Sequence, residues 1–336
     1  MNLVFQRYQD NFPRHVAAIT RQLESRIMES LVETHQHGGL RLSFEPYISL
    51  TADGGSRLSS IADHLGITRQ AANAVVNELE SLGYVRRAPD PEDGRAKQIT
   101  LTAAGEKLRT DGLAVAAKLE AEYKTRLGAP KFEECREALI AIVSRLPGIP
   151  AGIQAGTSAP EARFTSLLPR LSDYMSRRLM NLTQAKGHPG LKLSYGQVLT
   201  LIGDDGGRMQ VMANAYKVSK QAINVIASEL QTLGYIERRT DHRDGRQVLL
   251  HLTPAGHEMI REAVEAIDSL EAELALPDSP EGLPTLQLCM RQLYTILQPE
   301  PLLKSGELHD LARSLISRLG ADRASQLGEL LMNPFK

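Results

Sequence analysis

Apolar and polar positions along the chain alternate with two periods, and the changes between them mark out the elements. Over 14–36, Val16, Ile19, Leu23, Ile27 and Leu31 recur at helical spacing. His37, Gly38 and Gly39 stop that helix. Residues 44–50 predict a short second helix. Next, Leu58, Ile61, Ala62 and Leu65 form one stripe, and Gly66 is a turn residue able to take positive φ. Thr68 is a good N-cap for a further helix that turns Ala71, Val75, Val76, Leu79 and Leu82 inward and ends at Gly83. Two short helices joined by a tight turn make a helix-turn-helix. From Tyr84 the period falls to two. Residues 84–87 and 98–101 read as strands, and the Pro and Asp-Gly content of 89–95 reads as their hairpin turn. A helix-turn-helix followed by a hairpin is a winged helix. Thr102 then caps a long helix over about 103–127, and an apolar helix over about 131–146 follows.

The same pattern returns 151 residues later. Leu82-Gly83-Tyr84 meets Leu233-Gly234-Tyr235, and Asp93-Gly94-Arg95 meets Asp244-Gly245-Arg246. Residues 43–105 align without a gap on 194–256, with about 23 identities in 63 positions. Two repeats of this length predict tandem domains, not a solenoid of short units. The expected organisation is a first domain over 1–146, a linker over 147–160 rich in Pro, Gly, Ser and Ala, a second domain over 161–298, and an extra helical segment over 299–336. The expected fold class is mainly α with small β-hairpin wings, as two tandem winged helix-turn-helix domains. One departure is Lys217 where the first copy has Gly66.

Composition narrows the chemistry. In 336 residues, 39 Lys plus Arg face 40 Asp plus Glu, a net charge of −1, which excludes a polycationic binder but can hide a local basic surface. Aromatic residues are 4% with no Trp, which disfavours stacking surfaces for single strands. Two cysteines do not make a disulfide scaffold, and Cys135 and Cys289 on apolar helices read as core. No secretory leader and no uninterrupted apolar span is visible, so a cytoplasmic location is expected. Nucleophile elbows, P-loops, dinucleotide fingerprints and zincin motifs are absent, and His257-Glu258 lacks a second histidine, so no enzyme is expected. His35 and His37 have no accompanying ligands at metal spacing and read as a helix-end pair; no metal or cofactor is expected.

The helix-turn-helix, the Leu-Gly-Tyr helix end, the D-x-x-D-G-R wing and the L-T-x-A-G start of the next helix occur twice, at Leu82/Asp90/Leu101 and at Leu233/Asp241/Leu252. In this combination the sequence resembles the MarR family of bacterial transcriptional regulators. Members of that family are usually homodimers in which each winged helix reads half an operator. The resemblance therefore implies an intramolecular pseudo-dimer that binds double-stranded DNA, with a homodimer of chains as the other possibility. An α-helix fits the major groove with its N-terminal residues at the base edges. Thr68, Arg69 and Gln70 open one such helix, and Ser219, Lys220 and Gln221 the other. Gln70, Asn73, Gln221 and Asn224 could bond adenine, whereas Arg69 and Lys220 could reach phosphate or guanine. The wings carry Arg86, Arg87, Arg95 and Lys97, and Arg238, Arg239, Arg243 and Arg246. By the resemblance, Arg95 and Arg246 meet the minor groove; the remaining arginines are either phosphate contacts or solvated charges on a strand. Glu92 stands opposite Arg243, so the second head is expected to hold phosphates more strongly. The family often releases DNA when a small aromatic or phenolic acid enters a cleft beside the dimer helices. His37, Tyr47, Arg177, Arg178, His188 and Tyr195 could lie near such a cleft or be structural. The competing functional class is a pseudo-dimer that binds a small molecule or partner protein and has lost DNA binding.

Overall fold

The computed structural model describes residues 3–52, 54–91, 93, 96–147, 163–202, 206–215, 218–241 and 244–297, without the side chains of 197, 241 and 244–247. The described residues divide into two compact units, one within Met1–Leu193 and Pro254–Pro299 and the other within Ser194–Thr253. The expected linker lies outside the described residues except for Pro147, as do Lys217 and the C-terminal segment over 299–336.

In chain order the elements are α1 (Leu3–Gln9), α2 (Phe12–Glu29), α3 (Glu45–Leu50), β1 (Ser56–Arg57), α4 (Leu58–Leu65), α5 (Arg69–Ser81), β2 (Val85–Pro89), β3 (Lys97–Leu101), α6 (Ala103–Leu127), α7 (Ala129–Val143) and α8 (Phe164–Ala185). The second unit holds α9 (Tyr195–Thr200), β4 (Gly207–Arg208), α10 (Met209–Ala215), α11 (Lys220–Thr232), β5 (Ile236–Asp241) and β6 (Asp244–Leu252). The chain then returns to the first unit with α12 (Pro254–Leu274) and α13 (Gly282–Leu297). No described helix is long and apolar enough to cross a membrane.

Each unit contains one small antiparallel sheet, in the orders β1-β3-β2 and β4-β6-β5. The hairpins are the expected wings; the two-residue strands β1 and β4 and the helix α1 were not anticipated. The expected helix over 14–36 ends sooner, because Ser30–Thr34 forms a wider π turn closed by the His35 N–H on the Ser30 carbonyl at 3.1 Å. On α5 the inward residue is Ala72, fully buried, and Ala71 is exposed. Leu82 is not inward either: it is 37% exposed and lies over Gly39, where an added Cβ would come within 2.6 Å of its Cδ2. Both HTH helices start as expected. Thr68 Oγ1 accepts the Ala71 N–H at 3.1 Å, and Ser219 Oγ accepts the Ala222 N–H at 3.1 Å.

The largest core of the first unit draws helices from both sides of 148–162. Val16, Ile19 and Leu23 of α2 pack with Leu139 of α7, Leu167 of α8 and Leu286 of α13, all fully buried. Phe164 opens α8 with its ring 6.2 Å from that of Tyr123, edge-on, and 5.4 Å from that of Phe132. Fully burying a side chain of this size contributes roughly 1.5–3 kcal/mol, so this cluster dominates the unit. Cys135 and Cys289 are both buried in it as free thiols, and the Cys289 thiol donates to the Lys131 carbonyl at 3.8 Å.

The winged helix joins α6 through a compact junction. The Tyr84 carbonyl accepts the N–H of Thr102 at 3.0 Å, and Thr102 Oγ1 donates to the Gly83 carbonyl at 2.5 Å while accepting the Gly105 N–H at 3.1 Å. A Cβ on Gly105 would lie 2.0 Å from the Tyr84 carbonyl oxygen. This close approach accounts for the glycine of the L-T-x-A-G motif. In the second unit Thr253 repeats the first two bonds, to Tyr235 at 3.0 Å and Gly234 at 2.6 Å. Replacing Gly105 by Ala is expected to cost about 3 kcal/mol in urea unfolding, whereas Leu139→Ala should cost about 2–5 kcal/mol. Loss of less than about 1 kcal/mol in either variant would contradict the packing described.

Candidate nucleic-acid interface

Helix α5 exposes Thr68, Arg69 and Gln70 at its start, and α11 exposes Ser219, Lys220 and Gln221. Arg69, Gln70, Lys220 and Gln221 have no hydrogen bond or ion pair to another side chain among the described residues. These helix starts therefore present unengaged donors and acceptors on the side where unpaired backbone N–H groups also favour an anion. Asn224 and, one residue on, Val225 continue the exposed face of α11, the valine being 53% exposed.

The asparagines are differently placed from the glutamines. Asn73 Oδ1 accepts from Arg87 Nη2 at 3.0 Å, and Asn77 Oδ1 accepts from the same nitrogen at 2.6 Å. Asn224 Oδ1 accepts from Arg238 Nη2 at 3.1 Å, joined there by Ser228 Oγ at 3.0 Å. A wing-strand arginine thus clasps the recognition helix in both units, with the same spacing in sequence. Glu80 adds a carboxylate to the first clasp, pairing with the Arg87 guanidinium and accepting the Arg87 backbone N–H at 3.2 Å.

The wing strands also differ in where charge remains. Side chains alternate along a strand, so Arg86 points away from the face on which Arg87 meets α5. It is exposed and has no ion pair among the described residues. At the matching place β5 has Glu237, which pairs with Arg239. Lys97 is exposed at the start of β3. The wing tip is fixed by Asp90. Asp90 is buried, accepts Arg57 Nε of β1 at 2.5 Å, and accepts the Asp93 N–H at 3.3 Å. Arg95 and Arg243 lie outside the described residues. Arg246 is placed on β6 by its backbone alone.

The residues singled out for a small acid have partners within the chain. His37 is buried, with Nε2 2.8 Å from Asp111 Oδ2 and its ring 5.9 Å from that of Tyr84. Tyr47 is buried in the core beneath the first wing, where burial pushes its phenol upward. Arg177 pairs with Asp173 at 3.0 Å. Arg178 forks onto Glu273 at 2.8 and 2.6 Å. His188 Nε2 lies 2.5 Å from Glu262 Oε2, and Tyr195 donates to Glu229 at 2.8 Å. Among the described residues no three His, Cys, Asp or Glu side chains are grouped to hold a metal ion.

Residues 50–96 match the MarR family, which places the match on β1, α4, the turn, α5 and β2, stopping short of β3. Among curated proteins, it is 34% identical over 90 residues to the HTH-type transcriptional repressor Rv2887 of Mycobacterium tuberculosis, covering 27% of this chain and 65% of that one. It is 28% identical over 169 residues to the transcriptional repressor MprA of Escherichia coli, covering 49% of this chain and 82% of the relative. The chain thus spans a little under two thirds of the length of the first of these. Among solved structures, CouR from Rhodococcus jostii bound to p-coumaroyl-CoA is 19% identical, with a TM-score of 0.35, over 44% of this chain and 100% of that one.

Asp111 supplies a pH test of the described geometry. Hydrogen bonds from Lys107 and then His37 hold its carboxyl at about 2, down from 3.8. A depressed carboxylate stabilises the fold above its unfolded value, and that contribution disappears as the pH falls through the folded one. The difference in urea midpoint between wild type and Asp111→Asn is therefore expected to close as the pH falls from about 4 to about 2. A difference that persists unchanged across that window would contradict the assignment.

Proposed function

We propose that this chain is a sequence-specific, double-stranded DNA-binding transcriptional regulator acting as a repressor. The observation that carries the reading is the pair of hydroxyl-capped helices whose first exposed residues, Arg69-Gln70 and Lys220-Gln221, are unengaged and beside a wing. In the major groove, the glutamines would bond base edges while Arg69 and Lys220 meet phosphate or guanine. Asn73 and Asn224 would read bases only after the arginine clasp opens or shifts; otherwise they position it. Arg86, Lys97, Arg239 and Arg243 are assigned to the phosphate backbone, and Arg95 and Arg246 to the minor groove.

The chain is further proposed to act as an intramolecular pseudo-dimer, each half contributing one winged helix to an imperfect palindrome with half-sites about 10 base pairs apart. The repeat at 151 residues supports this, as does a core shared by α2 and α7 with α8 and α13. A covalent pair keeps its partner on dilution. For a small acid to be recognised by Arg178 or His188 it would have to displace Glu273 or Glu262, so effector binding and rearrangement of these ion pairs would go together.

Footprinting on DNA flanking its own gene, with light scattering for the mass, tests the reading. A footprint of two adjacent half-sites by a single chain is expected, with affinity falling steeply between 50 and 200 mM salt. Absence of preference over random duplex would overturn it in favour of a pseudo-dimer that binds a small molecule or protein partner. Within the footprint, Arg246→Ala should weaken binding more than Arg95→Ala, because Glu92 already opposes the first wing where the second has Arg243. Equal losses at fixed salt would contradict that asymmetry.

A further inference from the structure

The two arginine clasps are built on the same plan but carry different charge. Arg87 spends Nη1 on Glu80 and Nη2 on Asn73 and Asn77. Its side chain is only 25% exposed, and the pair with Glu80 is electrically neutral. In the second unit, displaced by 151 residues, Gln231 stands where Glu80 does. Arg238 has Asn224 and Ser228 as neutral partners of Nη2, and its Nε is buried with no hydrogen-bond partner. A guanidinium offers five N–H donors and stays charged. Arg238 therefore carries a charge that no carboxylate offsets at the seam between recognition helix and wing, whereas the charge of Arg87 is offset by Glu80.

We infer that Glu80 is an affinity-limiting residue: it withholds Arg87 from the nucleic-acid backbone, while Gln231 leaves Arg238 able to swing from its neutral partners onto a phosphate. This rests on the DNA-binding reading above and adds to it a residue that sets how strongly the first head grips any duplex. A phosphate competes for a guanidinium at a disadvantage where a carboxylate already holds it. Asn and Ser oxygens are weaker partners for a guanidinium than a carboxylate, whose negative charge adds Coulombic attraction to the hydrogen bond it accepts. At the first seam the incoming phosphate must displace Glu80 and then lie beside a bared carboxylate; at the second it displaces only neutral groups. The charge that the first wing offers instead sits on the opposite strand face, at Arg86, where the second has the Glu237–Arg239 pair. The two heads would thus grip the backbone from different faces of otherwise matching wings.

Binding of the full chain to duplex from its own promoter, titrated from 50 to 200 mM salt, tests the assignment. Glu80→Gln is expected to steepen the log–log salt dependence by about 0.9, one more phosphate neutralised, which is about a threefold larger loss of affinity across that range. Gln231→Glu should make it shallower by the same amount. Glu80→Gln/Arg87→Ala must return to the wild-type slope; a gain that persists there would come from removing a negative charge alone and would overturn the role given to Arg87. Weaker binding by Glu80→Gln, with an unchanged melting temperature, would also overturn it and make Glu80 a positioning residue. If wild type binds its promoter and both single variants keep its slope, the assignment fails while the DNA-binding reading stands. If wild type shows no salt-dependent preference for that duplex, both fail together.

Discussion

Phe164 packs its ring against Tyr123 and Phe132, and the larger unit is organised around contacts of this kind. The residue opens α8, the first described helix after 148–162, yet its neighbours belong to helices completed before that stretch. Leu167 and Leu171 follow it inward at helical spacing, while α13 presents Leu286, Met290 and Leu293 to the same interior. With so many fully buried side chains, the position of each long helix is fixed by the others, since close-packed interiors tolerate little sliding. The first winged helix is attached to this block at two places. Thr102 and Gly105 press the start of α6 against the Tyr84 carbonyl, and Asp111, one helical stretch later, receives His37, His35 and Lys107. The orientation of α5 is thereby tied to α6 by hydrogen bonds and sterics and not by a flexible hinge.

Much of this was readable in the sequence where a local rule governs a local structure. Thr68, Ser219 and Thr102 were legible as caps because a hydroxyl before an apolar run has few better uses, and Gly66 was legible as the turn because it takes φ of 63°. The hairpins announced themselves through a change of period. The third strands, β1 and β4, did not, because two residues are too short to show alternation. On α5, Ala71 and Ala72 are adjacent and identical in hydropathy, and it is Ala72, four residues before Val76 and seven before Leu79, that falls on the buried stripe. Leu82 was read as core by residue type, but a leucine at a helix end can instead cover a glycine on the surface.

The chemistry at the interface was legible in type and not in arrangement. Basic and amide side chains at the start of a recognition helix were evident. That Asn73 and Asn224 are occupied by a wing arginine was not, because 14 residues and a change from helix to strand separate the partners. Asp90 escaped for the same reason: its partner Arg57 lies on a strand that no pattern revealed. Long-range pairs of this kind leave no periodic trace. Once the fold is known, a residue-by-residue comparison of the two repeats exposes them, since Glu80 against Gln231 and Arg86 against Glu237 become changes at equivalent places.

The shared core has a consequence for how the chain reaches its native state. During synthesis the first half emerges with α2 and α7 complete, and their apolar faces can meet α8 once residues up to about 185 are out, but they meet their α13 partners only when residues up to about 297 have left the ribosome. Contacts separated by more than a hundred residues close slowly, because loop entropy must be spent before they stabilise anything. The winged helix between β1 and β3, whose contacts are local, can form early and wait. The helical block is therefore the late-folding part, and its exposed faces are the ones a chaperone would meet.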